Sequence, residues 1–110
     1  MTKNKRDDSI GRSYYAIFTA ARALLATKGL DSKRHSGVIA LFNQNFIKDG
    51  PLDKEAYQAL VKAKANREEV DYGDQVSFSQ KEAEDQLVVA ENFLTKVEKV
   101  LKGILKKQEE

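Results

Sequence analysis

Residues 79–104 read SQKEAEDQLVVAENFLTKVEKVLKGI, and their pattern predicts a long amphipathic helix. Ser79 and Glu82 have the spacing of a capping box, in which each side chain accepts a hydrogen bond from the other residue's backbone N–H, so they mark a helix start. Behind them, apolar residues recur at alternating steps of four and three, which aligns them on one helix face. This stripe consists of Ala83, Leu87, Ala90, Leu94, Val97, Leu101 and Ile104.

Three further helices are predicted upstream, because apolar residues recur there with the same period. They cover about residues 7–28, which Gly29 ends, about residues 35–47, and the segment from the N-cap candidate Asp53 to about Tyr72. Their inward faces are expected to carry Ile10, Tyr14, Ile17, Ala21 and Leu24, then Val38, Ile39, Phe42 and Phe46, then Ala56, Leu60, Ala63, Arg67 and Val70.

The fold class follows from these helices, because strand signals are nearly absent and the connections are short. Short connections favour antiparallel neighbours. We therefore expect an all-α, up-and-down antiparallel four-helix bundle. The 110 residues suit a single domain, with residues 1–6 and 106–110 frayed.

Composition excludes several classes of function. The 19 basic and 17 acidic residues give a net charge of +2, so the chain lacks the strongly basic surface that coats nucleic acid. It has no cysteine and one histidine, which excludes disulfides and thiolate or multi-histidine metal sites, and no metal or cofactor is predicted. The charged N-terminus is not a signal peptide, and no apolar run approaches the roughly 20 residues that span a bilayer. We expect a cytoplasmic protein without membrane contact.

Arg67 is the anomaly of the third helix, because it occupies a position where the apolar stripe should continue. Burying an unpaired guanidinium is costly. Asp71 lies one turn later and could pair with it within the helix. Alternatively, the guanidinium faces a groove and binds a phosphate, which its planar fork suits. Spacing alone leaves both interpretations open.

Residues 32–37, SKRHSG, form a second candidate site. Lys33, Arg34 and His35 precede a predicted helix whose free N–H groups favour an anion. The alternative is a solvated loop in which Ser32 or Ser36 caps the helix. An anion site here requires these residues to meet others from elsewhere in the fold.

Tyr14 and Tyr15, within RSYYA, form a third candidate. Successive helical residues point about 100° apart, so the two rings cannot share one face. One tyrosine is expected in the core with its hydroxyl bonded, and the other is expected to line a groove or an interface. No nucleophile–base pair and no glycine-rich phosphate loop is visible, so spacing alone does not identify an enzyme.

Four stretches, taken in order, resemble the HEPN domain family: RSYYAIFTAARALLATKG, KRHSGVIALFNQNFIKDGPL, REEVDYGD and AEDQLVVAENFLTKV. The resemblance is to its small stand-alone prokaryotic branch and covers most of residues 9–97. It implies a helical bundle, a homodimer, and a minimal nucleotidyltransferase as partner in two-component, often toxin–antitoxin, systems. Members of this branch carry a longer helix ahead of RSYYA, so an exposed apolar strip on the first helix is also expected.

Some members of that family are metal-independent RNases that use an arginine followed four to six residues later by a histidine. By position, Arg67 matches the arginine and Asn66 stands beside it, whereas Asp71 occupies the place of the histidine and Tyr72 follows. An aspartate near an arginine stays ionised and cannot readily donate a proton to a leaving oxygen. The departure therefore argues against RNase activity, for which Arg67 and Asp71 would be the catalytic candidates.

The leading hypothesis is a dimeric subunit that binds a nucleotide or RNA and acts with a nucleotidyltransferase. Arg67 would contact phosphate, Asp71 would orient it, and Tyr72 or Tyr15 would stack on a base. Asn66 would lie beside the arginine, and Lys33, Arg34 and His35 would add positive charge at the rim. The alternatives are an RNase toxin and a purely structural subunit in which Arg67 and Asp71 form a bridge.

Overall fold

The fold is all-α, as the sequence predicts. The computed structural model describes the backbone of residues 5–72 and 78–109 and the side chains of residues 9–70 and 78–108. The helices are α1 (Lys5–Ala26), α2 (His35–Phe42), α3 (Lys54–Tyr72) and α4 (Gln80–Glu109), and a π-helical segment, Asn43–Ile47, continues α2. The described residues contain no strand. The prediction of an all-α bundle of four helices and the approximate helix bounds are confirmed.

α1 ends where its glycine was predicted to end it. Gly29 has a φ of +70°, in the left-handed region that only glycine adopts without strain. Its N–H donates to the carbonyl of Ala26 at 3.0 Å, and the N–H of Leu30 donates to the carbonyl of Leu25 at 3.0 Å. This pair of bonds is a Schellman motif, which satisfies carbonyls that the end of the helix would leave unpaired.

The predicted caps of α3 and α4 are also confirmed. Asp53 Oδ1 accepts from the Ala56 N–H at 3.0 Å. Ser79 Oγ accepts from the Glu82 N–H, and Glu82 Oε1 accepts from the Ser79 N–H, each at 3.0 Å. Because these bonds favour the ionised carboxylates, they lower the pKa of Asp53, with a further contribution from Lys96, and the pKa of Glu82.

α1 packs against each of the other three helices and is the central element of the bundle. α3 runs antiparallel to α4. Asp53 at the start of α3 pairs with Lys96 at 3.3 Å, and Asn66 near the end of α3 bonds Gln86, earlier on α4, at 3.3 Å. These contacts fix one long seam between the two helices.

α2 departs from the antiparallel expectation. His35 at its start lies against Tyr14 in the middle of α1, and Lys28 just after α1 lies 4.9 Å from the centre of the Phe46 ring. α2 therefore follows α1 in the same general direction. The segment 27–34 makes the reversal instead, and it is held by Arg22, which donates to the carbonyl of Ser32 at 3.0 Å.

The core has an aromatic centre where α2, its π-helical continuation and α4 meet. The ring of Phe42 lies 5.6 Å from that of Phe46 and 5.7 Å from that of Phe93, and all three side chains are buried. Around them pack buried apolar residues from all four helices, among them Ile17, Ala21, Leu24, Leu25, Val38, Ala56, Leu60, Ala63, Ala90 and Val97.

The predicted stripe of α4 is partly wrong. Ala83, Ala90 and Val97 are buried as expected, but Leu87 is 40% exposed and Leu94 is 39% exposed. Phe93, which the stripe omits, is buried. The helix is rotated about its axis relative to the prediction, because burying the large Phe93 ring removes more apolar area from water than burying either leucine.

Candidate functional site

Arg67 is half-buried near the end of α3 and lies over α1. Its guanidinium carbon is 5.8 Å from the centre of the Tyr14 ring, within the range of a cation–π contact. A Cβ atom on Gly11 would lie 2.9 Å from Arg67 Nη1, so the missing side chain at position 11 leaves the space that the guanidinium occupies. Gly11 and Tyr14 lie on one face of α1 and together form a seat for Arg67.

His35 joins this seat from the start of α2. The Tyr14 hydroxyl lies 2.7 Å from Nδ1 and 2.6 Å from Nε2 of His35, and it can donate its proton to an unprotonated ring nitrogen. The His35 ring also packs against Phe18, with 5.0 Å between ring centres. Three helices thus bring Gly11, Tyr14, His35 and Arg67 together, a set we call the Arg67 cluster.

The surroundings of His35 favour its neutral form. Burial of the ring lowers the pKa of His35, the nearby cations Arg22 and Lys64 lower it further, and Glu68 raises it in part. Glu68 is itself paired with Lys64 one turn earlier on α3. At neutral pH the imidazole is therefore mostly uncharged and available as a hydrogen-bond or proton acceptor.

This lowered pKa gives a prediction for stability against pH. The pKa of His35 in the unfolded chain is about 6.5. As pH falls below that value, the unfolded state binds the proton first, so the free energy of unfolding should decrease until pH passes the lower pKa of the folded state. Urea unfolding from pH 7.5 to pH 5 measures the slope, and His35→Gln, which cannot titrate, is the control. A wild-type slope no steeper than that of His35→Gln would contradict the assignment.

The remaining predicted residues lie at different distances from the cluster. Lys33 and Arg34 are exposed and directly precede His35, so they lie at its edge. Tyr15 is 72% exposed on another face of α1. Arg34 is the N-cap of α2 without a side-chain cap, and Ser32 Oγ instead accepts from the Arg34 N–H at 3.2 Å. The interpretation of Ser32 or Ser36 as the N-cap is therefore wrong.

Asn66 is turned away from the surface. Its side chain is 6% exposed, and its amide donates to Gln86 Oε1 at 3.3 Å across the α3–α4 seam. Asn66 is next to Arg67 in the sequence, but its side chain points in a different direction, because successive residues on a helix point about 100° apart.

The side chains of Asp71 and Tyr72 lie outside the described residues. Both residues belong to α3 by their backbone. The predicted Arg67–Asp71 pair and the stacking role of Tyr72 therefore stay predictions.

Gly11 was not predicted as a site residue, and Tyr14 was considered only as one of a pair of tyrosines of which one was expected in the core. A glycine inside a helix destabilises it by about 0.5–1 kcal/mol relative to alanine, so Gly11 carried a signal that something approaches the backbone closely. Tyr14 carried only the adjacent tyrosine as a signal. Spacing placed Tyr14 on the inward face of the helix but could not show that it contacts the arginine.

Among the residues that the structure describes, no group of three or more histidine, aspartate or glutamate side chains could hold a metal ion. Within the described helices, none is long and apolar enough to cross a membrane.

Comparison with known proteins gives one family. The HEPN domain matches residues 1–100 of the chain. A "UPF0332 protein" of Thermotoga maritima is 37% identical over 105 residues, which cover 94% of this chain and 80% of that protein. Two proteins of Methanocaldococcus jannaschii, each named "Putative toxin", are both 38% identical to this chain. The first alignment covers 89% of this chain and 72% of that protein, and the second covers 91% of this chain and 69% of that protein. A search of solved structures gave no significant match.

The fold and the cluster define a small helical bundle in which an arginine near the end of the third helix is seated on the first. The family match covers residues 1–100, and a relative is 37% identical over 94% of the chain. The chain belongs to the HEPN domain family.

Proposed function

We propose that this HEPN domain is a binding subunit for RNA or a nucleotide, and that the Arg67 cluster contacts the phosphate. The observation that carries the proposal is the seating of Arg67 on Gly11 and Tyr14. A guanidinium held in this way is pre-organised, because less side-chain entropy is lost when it binds an anion.

The neighbouring groups suit a phosphodiester. Arg22 and Lys64 place positive charge near the neutral His35, where Arg22 is paired with Asp31 and Lys64 with Glu68. The exposed Lys33 and Arg34 directly precede His35 and add two further cations. An arginine can bind two phosphate oxygens at once, and lysines act as additional point charges. Because the net charge is only +2, this local cluster rather than the whole surface would provide the attraction.

The proposed partner is a minimal nucleotidyltransferase, in a two-component system of the toxin–antitoxin kind. Support comes from the family resemblance, and two relatives carry "Putative toxin" as their names. Co-expression with a minimal nucleotidyltransferase, followed by co-purification, tests the partnership separately from RNA binding.

Metal-independent RNA cleavage is the second candidate function, and His35 is the observation that favours it. The family motif has its histidine after the arginine, where this chain has Asp71, but His35 lies against Tyr14 in the same cluster. A neutral imidazole can accept a proton from an attacking hydroxyl. Incubating RNA with the protein in EDTA and separating the products on a denaturing gel distinguishes cleavage from binding alone.

Replacing Arg67 with alanine tests the proposed function. We expect the dissociation constant for a fluorescein-labelled single-stranded RNA to rise by about tenfold or more, since hydrogen bonds to charged groups contribute about 1.5–3 kcal/mol. Fluorescence anisotropy measures the affinity, and circular dichroism checks that the bundle still folds. Lys99→Ala, an exposed cation on α4, is the matched control. Equal affinity of wild type and Arg67→Ala would reject the proposal, and the third alternative, a purely structural role, predicts a loss of stability only.

A further inference from the structure

A groove between α2 and α3 opens beside the Arg67 cluster. It has a volume of about 300 Å³ and is open to solvent on one side. Its lining residues, which define what we call the α2–α3 groove, are Ser36, Ile39, Val61, Lys64, Ala65 and Glu68. A groove of this volume can hold one small, flat ligand.

The floor of the α2–α3 groove is apolar. It consists of Ile39, Val61 and Ala65, and Val61 is 42% exposed. Apolar side chains are used by proteins to cover the face of a nucleobase that has left its stack. A flat heterocycle lying on this floor would remove apolar surface from water, which stabilises the contact.

The rim of the groove is polar and carries Lys64 and Glu68, which are paired one turn apart on α3. An ammonium has three donors and a carboxylate has about four acceptor positions, so this single pairing leaves donors and acceptors unused. Because both side chains line the groove, a ligand on its floor meets a donor group beside an acceptor group.

A donor followed by two acceptor oxygens matches the Watson–Crick edge of guanine, which carries the acceptor O6 and then the donors N1–H and N2–H. Adenine and cytosine offer the carboxylate only their exocyclic amino group, and uracil offers it only N3–H between two carbonyl oxygens. We propose that the α2–α3 groove binds a guanine base, with Lys64 donating to O6 and Glu68 accepting from N1–H and N2–H.

The position of the groove suits a single nucleotide. Ser36 directly follows His35 at the start of α2, and Glu68 directly follows Arg67 on α3, so the groove begins where the Arg67 cluster ends. The charges of Lys64 and Glu68 also reach His35, whose pKa the first lowers and the second raises. A phosphate at Arg67 and a base in the groove can therefore belong to one guanine nucleotide, free or within an RNA chain. The inference rests on the proposed function in this respect.

Fluorescence anisotropy with labelled pentanucleotides tests the base preference. UUGUU should bind at least about fivefold more tightly than UUAUU, UUCUU or UUUUU, because a bidentate contact to a base edge discriminates by this factor or more. Replacing the guanine by inosine, which lacks the N2 amino group, should weaken binding several-fold. Equal affinity for all the pentanucleotides overturns the proposal.

Glu68→Gln tests the assigned contact. The substitution replaces one acceptor oxygen by an amide donor, which would oppose the donors of guanine, so the preference for UUGUU should disappear. Circular dichroism should show an unchanged helix content because Glu68 is exposed. Glu98→Gln is the matched control, because Glu98 is also exposed and pairs with Lys102 one turn away at 3.1 Å, but on α4. It should keep the preference, and a preference that survives Glu68→Gln overturns the proposal.

A competition experiment distinguishes the two sources of the base. Unlabelled GMP should displace UUGUU at lower concentration than AMP does. Displacement by GMP as effective as that by unlabelled UUGUU identifies a free nucleotide as the ligand, and weaker displacement identifies RNA. GMP no better than AMP overturns the guanine assignment.

The Arg67→Ala variant separates this proposal from the proposed function. Binding that depends on Arg67 but shows no base preference overturns the groove and leaves the phosphate site standing. A guanine preference with unchanged affinity in Arg67→Ala rejects the phosphate site instead. Absence of RNA and GMP binding overturns both.

Discussion

Replacing Phe42 with alanine is expected to lower the free energy of unfolding by about 3–5 kcal/mol. Its ring is fully buried, and it contacts the rings of Phe46 and Phe93. Removing it leaves a cavity where α2 and α4 meet, and a small domain has only about 5–15 kcal/mol of stability in total. The variant should therefore be close to unfolded at physiological temperature.

Urea unfolding followed by circular dichroism measures this effect. Val61→Ala is the control, because Val61 is 42% exposed on α3 and its truncation should change the free energy of unfolding by about 0.5 kcal/mol or less. If Phe42→Ala lost no more stability than Val61→Ala, the aromatic centre would not be a main source of the stability of the core.

Replacing Gly11 with alanine should separate binding from stability. The added methyl group would lie 2.9 Å from Arg67 Nη1, so the guanidinium would have to shift from its position beside α1. Alanine also favours the helix by about 0.5–1 kcal/mol over glycine. We therefore expect the free energy of unfolding to stay the same or rise, while RNA affinity falls several-fold.

Gly103→Ala is the matched control for this variant. Gly103 also lies inside a helix, and nothing stands within 4 Å of a Cβ placed there. It should gain about the same helix stability, about 0.5–1 kcal/mol, without affecting RNA affinity. Equal RNA affinity of the two alanine variants would mean that the seat on α1 has no part in binding.

The helix bounds could be read from the sequence because local chemistry sets them. Gly29 ends α1 through its own backbone conformation, and Ser79 with Glu82 starts α4 through two bonds within four residues. Neither depends on the rest of the fold. The direction of α2 could not be predicted from local sequence, because it depends on how the segment 27–34 folds back along α1.

The rotation of α4 about its axis was also beyond the sequence. A second set of residues with nearly the same spacing, Gln86, Ala90, Phe93 and Val97, overlaps the predicted stripe at Ala90 and Val97, and Gln86 and Phe93 are buried where Leu87 and Leu94 were expected. Spacing identifies that a face is buried. The volumes that the neighbouring helices leave open decide which face it is.

Only part of the candidate site could be predicted from the sequence. Arg67 was recognisable because it interrupts an apolar pattern. Its seat on Gly11 and Tyr14, and the link from Tyr14 to His35, join positions of three different helices. Such contacts between distant parts of the chain follow from packing, which the periodicity of single helices does not encode.

The most direct test of the central claim observes the arginine itself during binding. In a nitrogen-15 NMR titration with single-stranded RNA, the Nε–Hε signal of Arg67 should shift in a saturable way, with Gly11→Ala weakening the response. The backbone signals of Gly11, Tyr14 and His35 should follow the same binding curve. If RNA binds while the Arg67 signal and these neighbours stay unchanged, the Arg67 cluster is not the phosphate site.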